Sequence, residues 1–194
     1  MKTDILVIGS GVAGLTFAIK VAEARPDVSI MVITKEDRNI SNTARAQGGI
    51  AVVLDRLQDS FELHIQDTLK AGRNLNDTKV VEMVISQAPE RLLELIDWGT
   101  SFDAAGSGEL ALGLEGGHSR RRIVHHRDLT GWEIQRKLLD KASALKNISL
   151  IDHYFVTDLE MDASEAKCIG VKILNKNTGQ LHNIASKITF LATG

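Results

Sequence analysis

The 194-residue chain is 43% hydrophobic and 25% charged, the balance of a soluble globular protein with enough length for one ordinary core. Its formal net charge of -2 gives no electrostatic footprint for nucleic acid and no polybasic tract for an anionic membrane. The single cysteine, Cys168, excludes an internal disulfide framework and a cysteine-rich metal site, and no window approaches the ~20 apolar residues that cross a bilayer. The apolar run at residues 5–8 is too short for a signal-peptide core, so a cytoplasmic setting is expected.

Residues 4–8 form a short β-branched run, the pattern of a strand buried on both faces. Gly9, Ser10, Gly11, Val12, Ala13 and Gly14 follow directly, and residues 15–24 then carry helical apolar spacing that stops before Pro26. Residues 28–34 read as a second buried strand, which completes a βαβ unit of about 30 residues. Gly9, Gly11 and Gly14 match G-x-G-x-x-G. The first glycine permits the tight turn, the second lets backbone approach a pyrophosphate, and the third lets helix and strand pack closely. The helix start then offers unpaired N–H groups and a positive dipole end. The motif alone does not choose between NAD and FAD. The acid that grips a ribose should lie roughly 20 residues on. The chain has Thr34 at that strand end and Glu36 slightly late, so the acid is displaced or absent. The position of the unit close to residue 1 mildly favours FAD.

Residues 35–56 read as a loop of small and polar residues around Gln47-Gly48-Gly49, and taken alone the stretch is an ordinary loop. Asp59-Ser60-Phe61-Glu62 resembles a capping box for a helix through Ala71, stopped by Gly72. Asp77 is expected to cap a long helix with Val80, Val81, Val84, Leu92 and Leu95 on its apolar stripe. Pro89 would kink or divide that helix, and Gly99 lies past its end. Residues 99–128 are glycine-rich and without regular pattern, as in functional or disordered loops. A helix is expected over residues 130–145 and a third parallel strand over 148–151. Residues 156–161, 168–174 and 181–184 look like a small antiparallel meander, turning at Asn177-Thr178-Gly179. Residues 188–191 would return to the main sheet. A chain that stops on a strand end at Ala192-Thr193-Gly194 is expected to be part of something longer.

The run Arg120-Arg121-Arg122 could grip a dicarboxylate, since guanidinium forks bind carboxylates in pairs. Charge runs are more often solvated faces. The preferred reading has one arginine holding the loop or facing a cofactor, with the others paired to local acids. His125 and His126 read as structural, no spacing suggests a metal site, and no nucleophile–base pair stands out.

The glycine unit, then S-x-T-x-x-A-Q-G-G-I-A, then E-G-G-H-S-x-R-R-I-x-H with T-G following, then A-T-G, resembles the flavoprotein family of succinate dehydrogenase, fumarate reductase and L-aspartate oxidase. Within it the motifs are most similar to the L-aspartate oxidases. The resemblance covers residues 4–194. It implies an α/β fold: a Rossmann-like FAD-binding domain with a central parallel sheet and a small antiparallel β-meander. Residues 1–194 would be its N-terminal part, truncated where the protein continues, with the capping domain absent.

The resemblance also places the cofactor. Gly9, Ser10, Gly11, Val12, Ala13 and Gly14 match the pyrophosphate loop. Lys35 matches a lysine beside the adenosine half, which would explain the missing acid. Asn42, Thr43, Ala44, Arg45, Ala46, Gln47, Gly48 and Gly49 match the segment along the flavin. Phe155 and Val156 match backbone near the adenine, and Ala192, Thr193 and Gly194 a strand end that touches FAD again. Asn42 stands where the membrane-bound relatives carry a flavin-linked histidine, so the FAD is expected to be non-covalent. Glu115 matches a glutamate that orients the substrate's amino group; an ammonium needs a carboxylate, and succinate has nothing to pair with one.

The implied reaction is oxidation of L-aspartate to iminoaspartate, the first step of NAD synthesis. Electrons would pass to oxygen or fumarate, and quinolinate synthase would be the partner. The family's catalytic arginine matches no residue here. A soluble fumarate reductase or succinate-oxidising flavoprotein, and an FAD-binding fragment without catalysis, stay open as alternatives.

Overall fold

The computed structural model describes residues 1–73, 75–106, 108–164 and 166–194. Ser107, inside the expected 99–128 loop, lies outside the described residues. In chain order the elements are β1 (Lys2–Ile8), α1 (Val12–Ala24), β2 (Ile30–Ile33), α2 (Asn42–Arg45), β3 (Ile50–Ala51), α3 (Phe61–Ala71), α4 (Thr78–Asp97), β4 (Leu112–Gly113), β5 (Ile123–Val124), α5 (Thr130–Ala144), β6 (Ile148–Ile151), β7 (Tyr154–Asp162), β8 (Lys167–Asn175) and β9 (Leu181–Leu191). They divide into two compact units, one of Met1–Arg45 with Ile134–Gly194 and one of Ala46–Glu133.

In the first unit a six-stranded sheet runs β6-β2-β1-β9-β8-β7. The pairings of β1 with β2 and β9, and of β2 with β6, are parallel, whereas β7, β8 and β9 pair antiparallel. Strand alternation sends successive residues of β1 to opposite faces, and both faces are covered. Ile5 and Val7 cluster with Ala18 and Ala22 of α1 and with Ile30 and Val32, and Phe17 stacks on Phe190 with ring centroids 3.9 Å apart. Leu6, Ile8 and Ile33 cluster instead with Val171, Ile173 and Ile184. Those partners come from β8 and β9, on the same side of the sheet. Burial on both sides explains why β1 reads as an unbroken apolar run.

The sequence reading splits residues 181–184 from 188–191; the structure joins them. β9 is a single strand of 11 residues. Its first half pairs antiparallel with β8, Ala185 is in register with both Gly170 and Lys2, and the remainder pairs parallel with β1 through Ile8↔Leu191. The meander is therefore an extension of the main sheet. Where the two halves join, Ser186 is buried and its hydroxyl pairs with that of Thr189 at 2.8 Å.

In the second unit the Asp77 cap falls where the sequence puts it, whereas the Asp59–Glu62 box caps one residue on, at Ser60. Ser60 Oγ accepts from Leu63 N–H at 3.2 Å and Asp77 Oδ1 from Lys79 N–H at 2.9 Å. Helix α4 continues through Pro89 as one element. Its apolar stripe is shifted from the expected one. Ile85 and Leu92 are buried, Ala88 and Ile96 pack with Leu92, and Val80 and Val84 are exposed. Spacing at 85, 88, 92 and 96 keeps one helical face inward, whereas 80 and 84 lie beside it. The 99–128 stretch is not a plain loop: it supplies β4 and β5, which join β3 in a three-stranded antiparallel sheet ordered β3-β5-β4. Two-residue strands leave too little pattern to see in sequence.

Candidate functional site

At the C-terminal edge of the parallel strands in the first unit, several chain segments meet. Gly9 N–H donates to the Ile33 carbonyl at 2.9 Å and Ala192 N–H to the Ile8 carbonyl at 2.9 Å, so the ends of β1, β2 and β9 are tied together. Gly9 has φ +115°, and a Cβ there would stand 2.1 Å from the Ala192 carbonyl oxygen. A Cβ on Gly14 would stand 2.0 Å from the Gly9 carbonyl oxygen. Only glycine fits either place. Gly11 is the N-cap of α1 and brings no side chain to its first turn, while Val12 N–H donates to Thr43 Oγ1 at 3.0 Å.

Residues 42–45 of the expected loop form the helical turn α2. Ser41 caps it, accepting Ala44 N–H on Oγ at 3.0 Å. The Asn42 side-chain nitrogen lies 3.7 Å from where a Cβ on Gly194 would stand, which brings residues 42 and 194 together. Asn42, Arg45, Thr193 and Gly194 are all exposed. Lys35 is exposed just past β2. Tyr154 N–H donates to the Thr34 carbonyl at 3.0 Å, so the start of β7 lies beside that strand end. Val156 packs its side chain into the core, so what β7 can offer there is edge-strand backbone. The late acid Glu36 is taken by Lys176, whose ammonium holds the carboxyl below the usual glutamate range.

The second unit carries Ala46, Gln47, Gly48 and Gly49, and the last two lie against Glu115. Glu115 Oε1 accepts from Gly49 N–H at 3.4 Å, and both its oxygens lie 3.9 Å from where a Cβ on Gly48 would stand. Gly49 itself packs so closely on β5 that a Cβ would stand 2.4 Å from the Val124 carbonyl oxygen. The arginine run resolves into separate fates. Arg122 is fully buried. It grips Asp59 with Nε and Nη2 at 2.8 and 2.7 Å and Asp67 with Nη1 at 2.7 Å. Burial alone would lower its pKa, but the two carboxylates outweigh that and raise it. Asp67 also accepts from Ser119 N–H and Oγ, each at 2.8 Å. Burial works to raise the Asp67 pKa, and these bonds together with Arg122 bring it down to about 2. Arg122 and Ser119 thus pin the glycine-rich loop to α3 and its N-terminus.

Arg120 and Arg121 are exposed, and no ion pair of either is found among the described residues. The expectation that they pair with local acids fails because exposed long side chains gain little from holding one geometry. His125 Nδ1 bonds Asp103 at 2.9 Å and His126 Nδ1 the Ser101 carbonyl at 2.9 Å. His64 is buried with Nδ1 unpartnered, its ring 5.4 Å from that of His118. Burial, with Arg122 and His118 nearby, lowers its pKa to about 4. No group of three metal-ligating side chains occurs among the described residues, and none of their helices is long and apolar enough to cross a membrane.

Residues 4–194 match a family model described as an FAD binding domain. The chain belongs to the FAD-binding domain family. Among curated relatives this FAD-binding domain is 46% identical to an Arabidopsis thaliana chloroplastic L-aspartate oxidase over 193 residues, 98% of the chain and 29% of the relative. It is 38% identical to a Vibrio cholerae L-aspartate oxidase over all of the chain and 37% of the relative. The chain is thus a homologue of L-aspartate oxidases and spans about a third of their length. Among solved structures, an E. coli quinol fumarate reductase superposes with a TM-score of 0.91 at 30% identity over all of the chain and 33% of that structure's chain.

The residues present in the FAD-binding domain fit a dinucleotide. Ligands of parallel α/β sheets sit outside the carboxyl ends of the strands, and here that edge carries the two glycines no side chain could replace. The helix start beside them is capped by no side chain of its own. Gln135 was not among the expected residues, yet it is buried on α5 and reaches the glycine loop. The signal available was its place in the 135, 138, 139, 142 spacing, where Leu138, Leu139 and Ala142 are all buried. A polar residue on an apolar stripe is informative.

Proposed function

We propose that these residues supply the FAD-binding part of an enzyme that oxidises L-aspartate to iminoaspartate with non-covalent FAD. The observation that carries the reading is the Glu115 carboxylate standing over Gly48 and Gly49. It offers an anion for an ammonium next to the segment proposed to lie along the flavin. FAD, when bound, would supply the two-electron redox chemistry. The chain's part is to hold and orient. Gly9, Ser10, Gly11, Val12, Ala13 and Gly14 would form the loop around the pyrophosphate, with the Gly9 N–H committed to Ile33 and the Val12 N–H to Thr43. Lys35 and the backbone at Phe155 and Val156 would face the adenosine half. Asn42, Thr43, Ala44, Arg45, Ala46, Gln47, Gly48 and Gly49 would line the flavin, with Ala192, Thr193 and Gly194 touching FAD at the end of β9. Asparagine at 42 has no ring nitrogen to bond a flavin, which supports a dissociable cofactor. Glu115 would orient the amino group of the substrate. Oxygen or fumarate would accept the electrons, and quinolinate synthase would consume the product.

The 0.91 superposition on a fumarate reductase favours a second reading, succinate oxidation or fumarate reduction without an amino acid. The visible spectrum of the full-length protein separates the two. Anaerobic aspartate should bleach the flavin band, and succinate should leave it. Bleaching by succinate alone would overturn the first reading.

A further inference from the structure

Gln135 uses every hydrogen-bonding group of its side chain within the first unit. Its Nε2 donates to the Ser10 carbonyl at 2.7 Å and to the Arg38 carbonyl at 3.0 Å. Its Oε1 accepts from Ser41 Oγ at 3.0 Å. Two carbonyls on one side and a hydroxyl on the other fix which way the amide points. The carbonyls belong to the glycine loop and to the chain after β2. The hydroxyl belongs to the residue whose Oγ also accepts Ala44 N–H and so caps α2. Ser10 and Gln135 are both buried, so water does not replace the bond between them. One side chain thus couples the 9–14 loop to the 42–45 turn, although neither segment touches α5 in sequence.

We propose that Gln135 is a positioning residue for the dinucleotide. It holds the peptide after Ser10 with its carbonyl turned inward to α5, which turns the Gly11 N–H of that same peptide outward to the pyrophosphate. Through Ser41 it also sets the turn that begins the flavin-facing segment. The inference rests on the reading of residues 9–14 as an FAD pyrophosphate grip. It requires that the two ends of the cofactor site respond together when the amide is lost, and separately when only the Ser41 arm is cut.

The test uses the full-length protein with FAD and with ADP, which probes the pyrophosphate loop without the flavin. Gln135→Leu fills the same space without donor or acceptor. It should weaken both FAD and ADP at least tenfold while the far-UV circular dichroism stays that of the native protein. Ser41→Ala keeps the loop bonds and cuts the second arm. It should weaken FAD severalfold and ADP clearly less, and shift the visible band of the bound flavin. If Gln135→Leu fails to fold, Ser41→Ala still decides, since equal losses of ADP and FAD, or of neither, overturn the coupling. Unchanged FAD and ADP affinities in Gln135→Leu reduce the residue to core filling. A wild-type protein that binds neither FAD nor ADP overturns the pyrophosphate reading itself, and Gln135 with it.

Discussion

A buried ionisable side chain has to be matched by its neighbours or lose its charge. Arg122 and His64 show the two outcomes within one cluster. Arg122 keeps its charge because two carboxylates and good bidentate geometry compensate for desolvation. His64 has no acid in hydrogen-bond reach of Nδ1 and sits near a guanidinium, so its neutral form is favoured. The stability consequence follows from the sign. A histidine whose pKa is about 4 folded and 6.5 unfolded binds fewer protons in the native state between those values. Its contribution is whole above pH 6.5 and is lost as pH falls towards 4, by up to about 3 kcal/mol. Urea titrations across that range should show this slope, and His64→Gln should flatten it. An unchanged slope would show that His64 titrates freely. Asp67 adds a separate loss at lower pH, because its depressed pKa keeps its contribution whole above the unfolded value and loses it as pH falls through about 2.

Elements meet at distances that single atoms decide. Helix α1 approaches β1 so closely that Gly14 has no space for a methyl group beside the Gly9 carbonyl. Gly14→Ala should push the helix away from the strand end and spoil the loop between them. Overpacking of this kind costs about 1–3 kcal/mol, and FAD retention on gel filtration of the full-length protein should fall with the thermal midpoint. Retention equal to wild type would mean the loop can shift without cost. The same scale explains α4. The length and N-cap of that helix are visible in sequence because Asp77 satisfies its own neighbours' N–H groups. Which of its valines turn inward is not, because that depends on where Val52 and Val124 stand.

At the scale of the molecule, β1 and β9 dominate the first unit. β1 is central, flanked by parallel partners, and residues 5–8 are buried on both faces. β7 is an edge strand with alternating exposure, and β3, β4 and β5 are two residues each. Amides open with free energies that track such burial. Hydrogen exchange should therefore be slowest at residues 5–8, faster in the half-exposed end of β9 at residues 188–191, and faster again in β7. Uniform protection across all of these would contradict a β1-centred core.

The sequence alone determined the βαβ unit, its glycine loop, the cap at Asp77, and the motifs that place the chain among FAD-binding domains. These are written in residues at fixed short spacing, where the steric need for glycine or a cap is local. It also placed Asn42, Glu115 and Lys35 as candidates, which the structure sets at the start of α2 beside Gly194, against Gly48 and Gly49, and past β2. The rest depended on residues far apart in the chain. Arg122 meets partners 63 and 55 residues away, and Gln135 reaches 125 residues back to Ser10. β9 serves two sheets' worth of pairing because Ala185 finds Gly170 on one side and Lys2 on the other. No periodicity encodes such meetings. Only packing decides which buried polar groups end up face to face, because each must find a partner once water is gone.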